Sequence, residues 1–305
     1  MPDSADTRMA RAMVSLDGLS VGDAFGERFF LHPHIAQLII GECGLPDPPW
    51  RYTDDTQMAL SIVETLKEHG EIDQTSLAKR FGKRYDPSRG YGPAMHRILR
   101  GINDGEDWQT VAGSAFSGQG SFGNGGAMRV APLGAYFADD LGAVSTQAAW
   151  AAEVTHAHPE GIAGAVAVAL AAAWAVRLRE SHSTSTVPDF LDAILPDIPD
   201  SAVRAKVMRA RNFRLDLAVE HAAAMVGNGV KVSAQDTVPF CLWCAARYLE
   251  NYEEAMWATV SALGDRDTTC AIVGGIVACY TGVEGIPPDW LAAREPLPDW
   301  IMERA

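Results

Sequence analysis

The chain has 305 residues and a formal net charge of −14. That length can bury a sizeable core in one large domain or two small ones. The charge excludes a protein that tracks nucleic-acid backbones by broad attraction, although a helix N-terminus or glycine loop can still hold a small anion locally.

Residues 1–7 are polar and expected to fray. Apolar positions Met13, Leu16, Leu19, Val21 and Phe25 predict a helix over 8–30, where Gly18 and Gly22 would let another backbone come close. A short helix is expected over 32–40 and a loop over 41–50. Thr53-Asp54-Asp55-Thr56-Gln57 then precedes Met58, Ile62 and Leu66 at helical spacing, which puts two adjacent carboxylates on a first turn. Thr53 or Asp54 can act there as a helix cap, with Gln57 reaching back, and acidic residues suit the helix dipole. A capping role and a ligand role are both open at this point.

Helices are predicted up to Gly70, over 74–85 and over 93–101, with a loop at 86–92. Residues 105–126 read as one long glycine-rich loop, a length that in a compact domain marks a functional segment, flowing into a helix over 127–137. Further helices are expected over 141–155, 161–179, 188–195, 201–213, 216–227, 239–249 and 253–263, with a Ser/Thr-rich mobile stretch at 180–187. The uncharged run 162–176 is shorter than a membrane span needs and suits a core helix, so no membrane partner is expected. Cys241 and Cys244 sit among Phe240, Leu242 and Trp243 and read as core packing. Five scattered cysteines, without a leader pattern, suggest reduced thiols in a cytoplasmic protein.

A second acidic cluster, Asp265-Arg266-Asp267-Thr268-Thr269, opens a buried-looking helix over 270–280 that Gly282 terminates. The tail 287–298 is proline-rich and either wraps or frays. Two helix starts bearing Asp, Asp and Thr can converge into one oxygen-only cage, which suits Mg²⁺ or Mn²⁺ better than Zn²⁺. Four carboxylates with several hydroxyls suit two adjacent ions. No strand pattern of useful length is present. The fold expected is a single compact all-α domain over 8–293, with 1–7 and 294–305 as flexible or wrapping termini and the metal site near its centre.

The acidic clusters also carry a resemblance. With Gly22-Asp23-Ala24-Phe25-Gly26, Asp86 to Gly92, Gly123-Asn124-Gly125-Gly126-Ala127-Met128-Arg129 and Thr155-His156 in order between them, the chain resembles the ADP-ribosylglycohydrolases, over roughly residues 10–290. The resemblance implies a monomeric Mg²⁺- or Mn²⁺-dependent hydrolase that frees ADP-ribose from a modified protein or other acceptor. It implies that Thr53, Asp54 and Asp55 serve mainly one ion and Asp265, Asp267 and Thr268 the other, with a spare aspartate taking a proton from water. It places Gly123, Asn124, Gly125, Gly126 and Met128 at the ligand, the glycines against its diphosphate. His156 falls beside its ribose, and Tyr91 near the acceptor. Asp23 is expected to brace its helix, His158 to be structural, and Arg129 either to touch phosphate or to form an ion pair. Two departures stand out. Arg266 replaces a threonine, and Phe30 occupies the place of a metal-shell glutamate, a role that Glu27 would take from one turn back while Phe30 closes the pocket. A competing reading is a non-catalytic ADP-ribose-binding regulator; a third is a binuclear phosphoesterase.

Overall fold

Helix α1 (Ala5–Glu27) begins at Ser4, whose side chain accepts from the Thr7 N–H, and it runs through the middle of the molecule. Its glycines explain why it can be so buried. A Cβ on Gly18, Gly22 or Gly26 would lie 2.2–2.4 Å from atoms of the last long helix, so only the bare backbone fits there. That partner is the helix Arg266–Thr281, which returns the fit through Gly274.

The computed structural model describes residues 3–302, and among these there is no strand, only two isolated bridges, Trp50 with Arg294 and Gly123 with Ser233. After α1 come α2 (Pro33–Gly41), α3 (Asp54–His69), α4 (Gln74–Lys83), α5 (Pro93–Asn103), α6 (Trp108–Gly113) and α7 (Ala115–Gly118). The middle holds α8 (Ala131–Tyr136), α9 (Leu141–Glu153), α10 (Pro159–Glu180), α11 (Val187–Ile194), α12 (Ala202–Arg211) and α13 (Val219–Val226). The chain closes with α14 (Ala234–Arg247), α15 (Tyr252–Ser261), α16 (Arg266–Thr281), α17 (Pro288–Ala293) and α18 (Asp299–Met302). The expected all-α domain is what the chain forms.

Helix α10 is long and apolar enough to cross a membrane, but 83 % of its apolar window is buried inside the protein, packed against α8, α9, α14 and α16. All five cysteines are free, and Cys241, Cys244, Cys270 and Cys279 are buried.

Several sequence expectations shift. The stretch 105–126 is not one loop, since α6 lies within it, started by Asp107 accepting from the Thr110 N–H, whereas α7 is only a kinked turn with Phe116 and Ser117 at positive φ. The helix expected from 127 begins only at Ala131. Helix α14 starts five residues before Pro239, because the Thr237 N–H already closes on the Ser233 carbonyl. At the N-terminus residues 5–7 are helical and Asp3 pairs with Arg11 at 2.6 Å, while residues 1–2 and 303–305 lie outside the described residues. The C-terminal tail wraps: Trp290 stacks on Phe25 at 4.6 Å, and Leu297 and Ile301 join the core.

Candidate active site

Asp23 organises the first half of the site. Its carboxylate, fully buried on α1, accepts from the backbone N–H and hydroxyl of both Thr53 and Thr56 at 2.5–3.1 Å. It therefore braces the start of α3 and not its own helix, and holds Asp54 and Asp55 on the first turn. Thr53 is the N-cap of α3, accepting from the Asp55 N–H, so the capping reading holds for this residue. Asp55 is 1 % exposed; its Oδ2 faces the Thr53 hydroxyl at 3.0 Å and its Oδ1 is buried with no hydrogen-bond partner.

The second half is the start of α16, where Asp265 is the N-cap and Asp267 and Thr268 lie on the first turn. The seam between α1 and α16 brings this start beside Asp23 and Asp55. Burial first, and then neighbouring carboxylates, push the Asp55 and Asp267 carboxyls well above their usual range. The same causes lift Asp54 to about 8. Burial lifts Asp23 to about 6 against its four donors, and lifts Asp265 against its hydrogen bonds to Asn124 and its own turn. Five carboxyl groups are thus crowded where burial and their neighbours hinder ionisation.

A chamber of about 390 Å³ opens on this cluster, with Thr53, Asp265 and Asp267 on one side and Ser88, Arg89 and Gly90 on another. Arg89 ties the 86–92 loop to the body, donating to the Tyr52 carbonyl at 2.8 Å and pairing with Glu295 of the tail at 2.7 Å. Glu27 and Phe30 stand at the chamber's edge. Helix α1 ends at Glu27, so the two do not share a helical face, and Phe30 lies beyond it. Phe30 is 47 % exposed and does not seal the chamber; the Arg266 guanidinium lies over its ring at 5.2 Å. The two departures from the family pattern thus meet each other. Tyr91 is buried, edge-on to Tyr85, and it is Gly90 that lines the chamber.

The glycine segment reaches the second cluster through Asn124, which donates to Asp265 at 2.6 Å and to Thr237 at 3.0 Å. Asn124–Gly126 is a single 3-10 turn, not the start of an α-helix, so whatever the segment offers an anion comes from its local N–H groups. Those of Asn124 and Gly125 have no acceptor among the described residues. His156 closes over this turn: a Cβ on Gly125 would sit 2.9 Å from its Nε2, and one on Gly123 at 3.2 Å. Met128 is buried in the core. His158 caps α10, accepting from the Glu160 N–H. Arg129 takes neither expected role, being wholly buried behind the site.

The family model for ADP-ribosylglycohydrolase matches residues 4–305. The chain belongs to the ADP-ribosylglycohydrolase family. It is therefore an ADP-ribosyl hydrolase. An ADP-ribosylhydrolase ARH3 of Gallus gallus is 31 % identical over 273 residues, covering 78 % of this chain and 72 % of that protein. An uncharacterized protein of Archaeoglobus fulgidus is 33 % identical over 290 residues, 90 % of this chain and 88 % of its own length. An ADP-ribosylarginine hydrolase Tri1 of Pseudomonas putida is 25 % identical over 299 residues, covering 92 % of this chain and 73 % of that protein. Among solved structures, an ADP-ribosylglycohydrolase-related protein complex overlays with a TM-score of 0.58 at 24 % identity, over 95 % of this chain and 94 % of the other.

The oxygen-only donor set fits a divalent ion, and the orphaned Asp55 Oδ1 is an acceptor that no protein group satisfies. Among the described residues, no three His, Cys, Asp or Glu side chains are already drawn into ligating geometry. Thr53 and Asn124 instead hydrogen-bond the carboxylates.

Proposed function

We propose that the protein hydrolyses the glycosidic bond between ADP-ribose and a modified protein or other acceptor, and that it needs two Mg²⁺ or Mn²⁺ ions. The observation that carries this reading is the meeting of the two helix starts, with Asp55 Oδ1 left unpartnered between them. Thr53, Asp54 and Asp55 would hold mainly one ion, and Asp265, Asp267 and Thr268 the other, with Glu27 contributing from the edge. The ions supply charge neutralisation and an acidified water at neutral pH.

The chain's own groups do the positioning. The N–H groups of Asn124 and Gly125 face the diphosphate, and the Nε2–H of His156 reaches the ligand over the glycines. Asp54 or Asp55, when not engaged by metal, takes the proton from the attacking water as its oxygen bonds to the ribose carbon. That carbon gains oxocarbenium character while its bond to the acceptor breaks, and the acceptor leaves with the electron pair and takes a proton from solvent. The acceptor enters through the chamber beside Ser88 and Gly90. The reading includes a cytoplasmic monomer, with the free thiols as support for that compartment.

Release of free ADP-ribose from an ADP-ribosylated protein tests it. Mg²⁺ or Mn²⁺ should restore activity lost to chelation, and Zn²⁺ should do so less well. Full turnover in excess chelator defeats the metal requirement. Binding of ADP-ribose without turnover makes the protein a regulator, and release of phosphate or AMP makes it a phosphoesterase.

A further inference from the structure

Behind the site lies a cation, Arg129, that forms no ion pair with a carboxylate among the described residues. Arg129 has 0 % exposure, and its guanidinium sits over the Phe81 ring at 4.5 Å. It donates to the Met58 sulfur at 3.2 Å, to the Ala151 carbonyl at 3.0 Å and to the Thr155 hydroxyl at 2.8 Å. Thr155 is equally buried, and its hydroxyl lies 2.8 Å from Nδ1 of His156.

Counting donors fixes the direction of this chain. A guanidinium only donates, so Thr155 must accept from Arg129 and has one hydroxyl proton left to place. The acceptor within reach is Nδ1. Were Nδ1 protonated instead, the Thr155 proton would be buried without a partner, at a cost of ~1–3 kcal/mol. The proton of the neutral ring therefore belongs on Nε2, the nitrogen that faces Gly123 and Gly125.

We infer that Arg129 and Thr155 are positioning residues that hold His156 as a neutral imidazole with its Nε2–H aimed at the ADP-ribose over the glycine turn. The inference rests on the reading of that turn as the ADP-ribose site. Burial and the Arg129 charge press the His156 pKa down to about 3, in keeping with a ring that stays neutral. Arg129 remains a cation, its own pKa lowered to about 9 by burial against the opposing pull of Tyr91 and Asp54. The glycines complete the arrangement, because any side chain at 125 would meet the ring it must pass.

The tautomer can be read directly. Two-bond ¹H–¹⁵N correlation spectra of the full chain, with the His156→Gln variant to assign the ring, should show a neutral Nε2–H imidazole at pH 7 and still at pH 5.5. An Nδ1–H ring or an imidazolium there overturns the inference. Thr155→Val, which keeps the shape and removes the hydroxyl, should free the ring and weaken ADP-ribose binding by about tenfold in calorimetry, as the loss of one oriented hydrogen bond implies. Thr155→Ser should restore both signatures. Unchanged affinity in His156→Gln would remove the histidine from the ligand site and take the inference with it. Affinity lost in His156→Gln but kept in Thr155→Val, with the ring still Nε2–H, would overturn the inference and leave the ligand reading standing.

Discussion

The same two helices, α1 and α16, make both a seam with no room for a side chain and an end crowded with carboxyl groups. Along the seam, Gly18 and Gly22 press against Gly274 and Cys270 so closely that no Cβ fits, and polar side chains there bond the backbone, Ser15 donating to the Gly275 carbonyl and Tyr252 to that of Gly18. At the end of that seam, the same pair delivers Asp23, Asp265 and Asp267 to one place, with Asp54 and Asp55 opposite. The seam is complete without a ligand, whereas the acidic end is not. What the contrast teaches is that the closeness of the seam is what forces the carboxylates together. Packing energy in one region sustains like-charge repulsion in the next.

Breaking the acidic end should abolish function and spare the fold. Asp55→Asn and Asp267→Asn are expected to lose nearly all turnover while the metal-free protein melts no lower than wild type, since the amide mimics a carboxyl already pushed toward its neutral form. A large drop in melting temperature would show that these residues belong with the seam. Gly22→Val should do the reverse. Its side chain would start 2.2 Å from the Cys270 carbonyl oxygen, so about 3 kcal/mol or more of stability should be lost in denaturant titration. A variant as stable as wild type would mean the seam can open.

Glu27→Gln sharpens the boundary between the two regions, because Glu27 is the last residue of α1 and stands at the chamber edge. If it serves the second ion, turnover should fall roughly 10²-fold with little change in unfolding. Normal rates would leave Glu27 a solvated helix end.

The pH response of the chelated protein separates the regions further. Asp54 and Asp23 have folded pKa values near 8 and 6 against 3.8 in the unfolded chain, so the folded state keeps protons that the unfolded state has shed. Stability should therefore fall as pH rises from about 4 to 8. Added Mg²⁺ or Mn²⁺ should remove the slope and release protons on binding, measurable by melting curves and by calorimetry in buffers of different ionisation enthalpy. A melting temperature that rises over that range contradicts the like-charge account. The smallest effect expected is in Gly125→Val, which should weaken ADP-ribose affinity by about tenfold through contact with His156 and leave metal affinity unchanged.

Much of this was legible in the chain itself. Helical periodicity gave the all-α class, and the pairing of two Asp-Asp-Thr helix starts pointed to one oxygen-rich site. Gly18 and Gly22 point in the sequence to a close backbone approach, and the helix α16 makes it. Capping residues were readable too, because their hydrogen bonds are local in sequence. Other features depended on partners distant in sequence. Arg129 offered no sign that it would be buried behind a histidine, since Met58, Phe81 and Thr155 come from three separate segments. The meeting of Phe30 and Arg266 joins the end of one helix to the start of another. Tyr91, expected at the pocket near the acceptor, is buried instead, packed against Tyr85 and His96. Sequence determined which groups could cap, pack or ligate, because those properties belong to residue type and local spacing. Tertiary structure decided which of them face one another, because burial and hydrogen-bond partners are set by chain segments that no local pattern connects.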